Sequence, residues 1–332
     1  MKKSSRNETS PCLFSKSKNI RVVWGITSEC NLRCKHCASE CEEGSAFYEF
    51  EYDTDMLRGM KKSGVDTIYL SGGEPLLYDG VFDIIKHGKE CGIRMTVGTN
   101  GTKLQENTVK RLIDAGVDQV FVSLDHWVNE KHNFLRGGEV FDLAVKGIKI
   151  LKRYGIFTRV DSIVWQENYR GLDRFVDFCK ELGVDEIAFA WPMKVGRAAK
   201  NYWILPPEEE YLKIGKKLEE LREKDIIKIS YHRFRKFDER CENCPGGEKI
   251  FYINSFGNMS PCFWISTLMP GFFTEKNIFD AYFSELLNDR AIIEFKKIKE
   301  ERYKQFGPGC PAVCMIKNGN FYSKDPLLTK SL

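Results

Sequence analysis

The sequence contains no run of about 18 or more apolar residues, so it offers no membrane-spanning helix. Its first ten residues, Met1 to Ser10, are polar and lack the apolar segment of a secretory signal. Net charge is scarce too: 51 basic residues stand against 47 acidic ones, a formal balance of +4 over 332 residues. A nucleic-acid surface needs basic residues gathered on one face; here the lysine-rich stretches read as solvated helix faces. The expectation is a cytoplasmic protein that binds neither membrane nor nucleic acid. Cysteine, in contrast, is plentiful, with twelve in the chain. In a reducing compartment such a number points to metal sites before disulfides. Composition is otherwise that of a globular protein, 42% hydrophobic and 30% charged. The length allows one large domain or two modest ones at roughly 150 residues each.

Three of the cysteines stand close together. Cys30, Cys34 and Cys37 are spaced Cys-x3-Cys-x2-Cys directly after the apolar run Arg21 to Thr27. Three thiolates on one loop can hold three corners of an iron–sulfur cube, which normally takes four. One iron would be left open, and open metal sites are generally catalytic. Such a site is vulnerable to oxygen, which implies an anaerobic or well-reduced host. A structural zinc knuckle is the competing reading of the three cysteines, and it leaves the next motif unexplained.

That motif is Ser71-Gly72-Gly73-Glu74-Pro75. The two motifs together, in this order, resemble the radical S-adenosylmethionine (radical SAM) enzymes. The resemblance implies a [4Fe-4S] cluster on Cys30, Cys34 and Cys37, with SAM chelating the fourth iron. One electron then cleaves SAM to methionine and a 5′-deoxyadenosyl radical, which takes hydrogen from a substrate. It implies that Gly72, Gly73, Glu74 and Pro75 hold the methionine amino group and that His36 lies near the adenine. Ser123-Leu124-Asp125 resembles the family segment beside the SAM ribose or carboxylate. His126 and Trp127 follow where a glycine is common; His126 reads either as a pocket residue or as a structural one. Arg136, in a Leu-Arg-Gly-Gly context, resembles the arginine that pairs with the SAM carboxylate, a task suited to a bidentate guanidinium. An ordinary surface arginine is the other reading. Asn100 is a candidate SAM or substrate contact, and Asp161 a weaker substrate candidate.

The chain between residues 20 and 200 alternates short β-rich runs with helical patterns. Strands are expected over Arg21–Thr27, Thr67–Ser71, Arg94–Thr99, Gln119–Ser123, Phe157–Val164 and Glu186–Trp191. Helices are expected over Asp53–Lys62, Tyr78–Cys91, Gln105–Ala115, Val140–Tyr154 and Tyr169–Leu182. Gly64, Gly92, Gly116, Gly155 and Gly183 close those helices. Six such units imply a parallel sheet but are too few for an eight-stranded barrel. They fit the partial (β/α)6 TIM-like barrel that the resemblance implies, with ligands at the C-terminal ends of the strands. Residues 1–19 read as a polar lead-in containing Cys12, a bystander. Residues 201–240 read as a connecting helix (Glu208–Lys224) and strand (Ile226–Tyr231).

From Cys241 the composition turns to cysteine, glycine and aromatics, so residues 241–332 read as a small cysteine-rich α+β domain. Ile250–Asn254 and the turn Phe256-Gly257-Asn258 suggest a hairpin flanked by thiols. Cys-Pro-Gly-Gly at 244–247 and Gly-Asn-Met-Ser-Pro-Cys at 257–262 resemble the auxiliary-cluster domains known as SPASM and Twitch. Four thiolates hold one cubane, so the resemblance implies one auxiliary [4Fe-4S] cluster. Its ligands would be Cys244, Cys262 and Cys310, with either Cys314 or Cys241 as the fourth. A zinc ribbon is the alternative. Cys91 and Cys179 read as buried apolar residues, and Cys41 as a bystander.

The expected function is a radical SAM oxidoreductase that takes hydrogen from a small metabolite or cofactor precursor, a net oxidation assisted by the auxiliary cluster. A low-potential donor such as a ferredoxin or flavodoxin would supply electrons. Only about 19 residues precede the first strand, so no fused peptide-binding domain of minimum size is expected. Maturation of a ribosomally made peptide and a non-catalytic iron–sulfur carrier are the alternatives; the carrier does not explain Gly72 to Pro75.

Overall fold

The computed structural model describes residues 19–41, 43–44, 54–232 and 244–326. Cys12 and Cys241 lie outside them. The described strands form one nine-stranded sheet: β1 (Ile20–Thr27), β2 (Val65–Gly72), β3 (Arg94–Thr99), β4 (Gln119–Ser123), β5 (Phe157–Ile163), β6 (Glu186–Ala190), β7 (Lys228–His232), β8 (Ile250–Ile253) and β9 (Met259–Ser260). Their order is β7-β6-β5-β4-β3-β2-β1-β8-β9. Each of β1 to β6 pairs in parallel with the next, as expected for six βα units. The sheet goes further than that at both edges. The strand expected as a connector is β7, a parallel neighbour of β6. On the other edge β8, from the cysteine-rich segment, pairs in parallel with β1 over Arg21–Trp24. The composition changes near residue 241, but the sheet runs across it.

Alternation along the strands separates two faces. Val22, Trp24, Ile26, Ile68, Leu70, Met95, Val97, Val120 and Val122 are sealed from solvent in the main core. Leu57, Met60, Ile84, Ile85, Val109, Leu112, Ile148 and Leu151 of the covering helices share that core. The opposite, concave face carries Gly25, Tyr69, Ser71, Gly98, Phe121, Ser123, Arg159, Asp161 and Tyr252. Small residues make room on it. A Cβ at Gly98 would meet the Tyr69 hydroxyl at 2.1 Å, and one at Gly25 would meet the Tyr252 hydroxyl at 2.8 Å. The five helix-closing glycines all adopt left-handed φ, between +72° and +102°, which an L side chain resists.

Several helices were not expected, among them Arg290–Phe306 and one beside the cysteine loop. Asn129–Arg136 follows β4 and buries His132, Asn133, Leu135 and Arg136. Beyond β8, Asn254 Oδ1 accepts from Phe256 N–H (3.0 Å) and Asn258 N–H (2.9 Å), fixing the turn into antiparallel β9.

Candidate functional site

The two sequence motifs meet at the C-terminal ends of β1 and β2. The Gly73 amide donates to the Thr27 carbonyl (2.7 Å) and the Glu74 amide to the Glu29 carbonyl (2.8 Å). This clamp excludes side chains. A Cβ at Gly72 would lie 2.2 Å from the Thr27 oxygen, and one at Gly73 only 1.9 Å from the Glu29 oxygen. The second motif is therefore held against the cysteine loop by its backbone. Glu74 is fully buried. Its carboxylate accepts from Thr99 Oγ1 (2.7 Å), the Asn100 amide (2.7 Å) and the Leu76 amide (3.1 Å). Burial raises its pKa. Its charge ties the β2 and β3 loops together. Pro75 is buried at the start of a short helical turn.

Cys30 and Cys34 are buried and Cys37 half-buried, packed with Leu32, Cys41 and Val140. Burial pushes the Cys30 thiol up to about 11 and raises Cys34 as well. Cys37 moves the other way, chiefly because the Cys41 thiol donates to it. Cys41, expected as a bystander, is thus a neighbour of the loop's third cysteine. Among the described residues no three metal-binding side chains converge on a single ion. Three cysteine sulfurs on one short, mostly buried loop are a donor set that fits three corners of a cubane. His36 has its Nδ1 sealed from solvent without a partner. Burial lowers its pKa to about 3, leaving a neutral ring beside the loop.

The loop is strapped from two sides. Lys35 N–H donates to the Leu135 carbonyl (2.9 Å) at the end of helix Asn129–Arg136. From beyond β6, buried Arg197 donates through Nε to the Cys34 carbonyl (2.9 Å) and through Nη2 to the Cys41 carbonyl (2.8 Å). Its amide donates to the Cys37 carbonyl (2.9 Å). Asn201 Nδ2 donates to the Lys35 carbonyl (3.1 Å). Gly196, at φ +52°, passes so close that a Cβ would lie 2.5 Å from the Ala38 oxygen. The prolines and glycine of this stretch suggest a break in the sequence, yet here it packs against the loop.

The structure turns several expected SAM contacts inward. Arg136 donates to Asp125 through Nε and Nη2, both at 2.6 Å, and lies beside Cys34. Its guanidinium pairs with a buried carboxylate of the protein and also bonds the Cys34 sulfur. Asn100 donates to Asn31 Oδ1 (2.9 Å) and accepts from Thr102 N and Oγ1. Its side chain therefore braces the cysteine loop. Ser123 stands half-buried at the end of β4, in register with Asp161. Asp161 lies on the same face, held by Arg159 (Nε–Oδ1 2.5 Å, Nη2–Oδ2 3.0 Å). The Arg159 guanidinium lies 3.3 Å from the Phe121 ring centroid.

His126 is structural here. Its Nδ1 accepts from Val128 N–H (2.8 Å), its Nε2 lies 3.2 Å from the Glu167 carbonyl, and its ring stacks on Trp127 at 4.0 Å. His126→Ala is expected to cost about 1 kcal/mol, because a part-buried amide and carbonyl lose their partner and Trp127 loses its stacked ring, while SAM cleavage persists. Thermal melts and product assays check both halves.

The second cysteine group lies toward the other end of the sheet. Cys244 precedes β8 and Cys262 follows β9, near the N-terminal end of β1. That is roughly 20 Å along the strand from Thr27. Cys262 and Cys310 stand at the N-caps of helices Phe263–Leu268 and Pro311–Asn318. Burial, with Cys310 and Cys262 nearby, pushes the Cys244 thiol up to about 12. Buried Lys299 donates to the Cys244 carbonyl (3.0 Å) and binds Glu248. Cys314 faces elsewhere: its sulfur accepts from Arg302 Nη2 (3.3 Å) and contacts the Ser323 carbonyl (3.5 Å). Cys179 is fully buried, as expected of an apolar filler, whereas Cys91 is only half-buried at the end of its helix.

Residues 24–188 match the radical SAM superfamily. An AdoMet-dependent heme synthase of Methanosarcina barkeri is 24% identical, the match covering 92% of this chain and 95% of that protein. The antilisterial bacteriocin subtilosin biosynthesis protein AlbA of Bacillus subtilis is 26% identical over 86% of this chain and 63% of its own. SuiB of Streptococcus suis, solved with S-adenosylmethionine bound, superposes with a TM-score of 0.74 at 18% identity. That covers 93% of this chain and 77% of SuiB, and it shows the shared fold.

Proposed function

We propose, from the premise that the chain belongs to the radical SAM superfamily, that this enzyme oxidises a small metabolite or cofactor precursor. Cys30, Cys34 and Cys37 would hold the [4Fe-4S] cluster, and the Gly72–Pro75 backbone would receive the methionine end of SAM. When bound, this pair supplies the 5′-deoxyadenosyl radical. The chain itself positions the groups and excludes water. The observation that carries the reading is the clamp of Gly73 and Glu74 onto Thr27 and Glu29. An iron–sulfur carrier needs only the cysteines, whereas the clamp builds a second loop beside them. No described helix is long and apolar enough to cross a membrane.

For the substrate, the match across 95% of a heme synthase supports a small molecule. The concave face is polar, with Arg159, Asp161, Tyr69 and Ser123, and suits a substrate bearing charged or hydroxyl groups. A peptide substrate is the second reading, favoured by the similarity to AlbA. Cys244, Cys262 and Cys310 would hold an auxiliary cluster able to accept an electron from the substrate radical. Since Cys314 is engaged by Arg302, Cys241 is the better fourth ligand.

Anaerobically reconstituted protein given SAM and dithionite is expected to form 5′-deoxyadenosine and to carry about eight irons, two cubanes of four. About four irons with product would remove the auxiliary cluster. No product, together with an EPR signal indifferent to SAM, would leave only the carrier. Cys310→Ala is expected to lower the count to about four, while Cys314→Ala keeps about eight. Iron loss in Cys314→Ala would make Cys314 the ligand.

A further inference from the structure

The outer surface of the cysteine loop carries an exposed patch that the reaction does not use. Phe134, Tyr202 and Trp203 are 48%, 63% and 48% exposed. Phe134 and Trp203 lie 5.7 Å apart. Lys35 Nζ sits 4.8 Å over the Phe134 ring, and Lys194 Nζ sits 5.3 Å over the Tyr202 ring. Exposed Arg33 and Lys200 lie alongside, with Glu40 paired to Lys200. Large aromatics left in water beside cations are the composition of an interface core with a charged rim.

The position of the patch identifies its occupant. Phe134 adjoins Leu135, whose carbonyl takes the Lys35 amide, and Tyr202 adjoins Asn201, whose side chain holds the Lys35 carbonyl. Lys35 follows Cys34 directly. Two hydrogen-bonded steps therefore join the aromatic surface to a proposed cluster ligand. A protein bound here would bring its redox centre close to the cysteine loop, across these two hydrogen-bonded steps. We infer that this patch docks the one-electron donor, a low-potential flavin or iron–sulfur protein with an acidic face. The carrier is oxidised by one electron and the enzyme's cluster is reduced by one. The inference rests on the radical SAM reading above. The aromatics would supply contact energy, and the cations would supply steering and salt sensitivity.

The test uses the anaerobic holoenzyme with two labelled probes, an acidic flavodoxin and a single-stranded RNA. Binding is measured at about 20 mM and about 200 mM salt, where screening differs strongly. Wild type is expected to bind the flavodoxin, more weakly at high salt. Lys194→Glu and Trp203→Ser are each expected to weaken binding about tenfold or more. Reduced-flavodoxin-driven formation of 5′-deoxyadenosine should fall in parallel, with dithionite-driven formation unchanged. Unaltered flavodoxin affinity in both variants overturns the inference, as does preferential binding of the RNA. Loss of dithionite-driven product in wild type would instead overturn the enzymatic reading, and the binding data would still judge the patch.

Discussion

Cys34→Ala is expected to retain its fold, lose about four of about eight irons and form no 5′-deoxyadenosine. Cys34 gives the cleanest result because its backbone is held independently of its thiol. The Cys34 carbonyl accepts from Arg197 Nε and from the Cys37 amide (3.2 Å), and the next residue's amide is bonded to Leu135. The loop should keep its path when the sulfur is removed. A small buried side chain is shortened by one atom, so the stability cost should stay near 1 kcal/mol. Iron analysis, the EPR signal of the reduced protein and product assay check the loss, and a thermal melt checks the fold. Product at the wild-type level would sink the assignment of the loop. Loss of all iron would mean that the auxiliary cysteines hold no cluster of their own.

The parts of this architecture that follow from local pattern were legible. β3 and β4 fall where alternation places them, at Arg94–Thr99 and Gln119–Ser123, since each combines β-prone residues with turn residues at its ends. The cysteine loop and Gly72–Gly73 were legible because cluster ligation and close backbone approach each demand a residue type. The less legible parts depend on distant partners. Helix Asn129–Arg136 hides His132, Asn133 and Arg136, so polar residues interrupt the apolar period that would announce it. The four-residue run Ile250–Ile253 reads as a strand, but nothing in it names β1 as its neighbour. Arg197 stands in a stretch whose glycine and proline suggest a linker; its task is visible only through three carbonyls of a loop more than 150 residues earlier. His126 and Arg136 each admitted two readings in the sequence, a pocket residue or a structural or surface one. In the structure both spend polar atoms on partners inside the protein. Motif spacing specifies which groups meet a cofactor far better than it specifies which neighbours merely position them.

Arg136→Leu should be the most destabilising single change near the site, at about 3–5 kcal/mol. Asp125 is fully buried and accepts from Arg136 Nε, Arg136 Nη2 and the Ile163 amide (2.9 Å). Burial alone would push its carboxyl up, but the Arg136 guanidinium outweighs that and holds it below the usual range. Removing the cation leaves a carboxylate with one amide donor in a dry interior. The sign of the pH dependence follows. In wild type a depressed carboxyl contributes stability at neutral pH that is lost as pH falls through and below about 4. In Arg136→Leu the carboxyl is raised, so protonation relieves the variant and its deficit should shrink on acidification. Asp125→Asn combined with Arg136→Leu should recover part of the loss, because the orphaned charge is gone. Urea unfolding of the apoprotein at about pH 7 and about pH 4.5 measures all three. A deficit that stays constant with pH, or a double variant no better than Arg136→Leu, would show that the ion pair is not what holds this corner. If it does hold it, the consequence reaches the site. Arg136 lies beside Cys34, and the neighbouring Leu135 carbonyl fixes Lys35, so iron retention at the cysteine loop should fall together with stability.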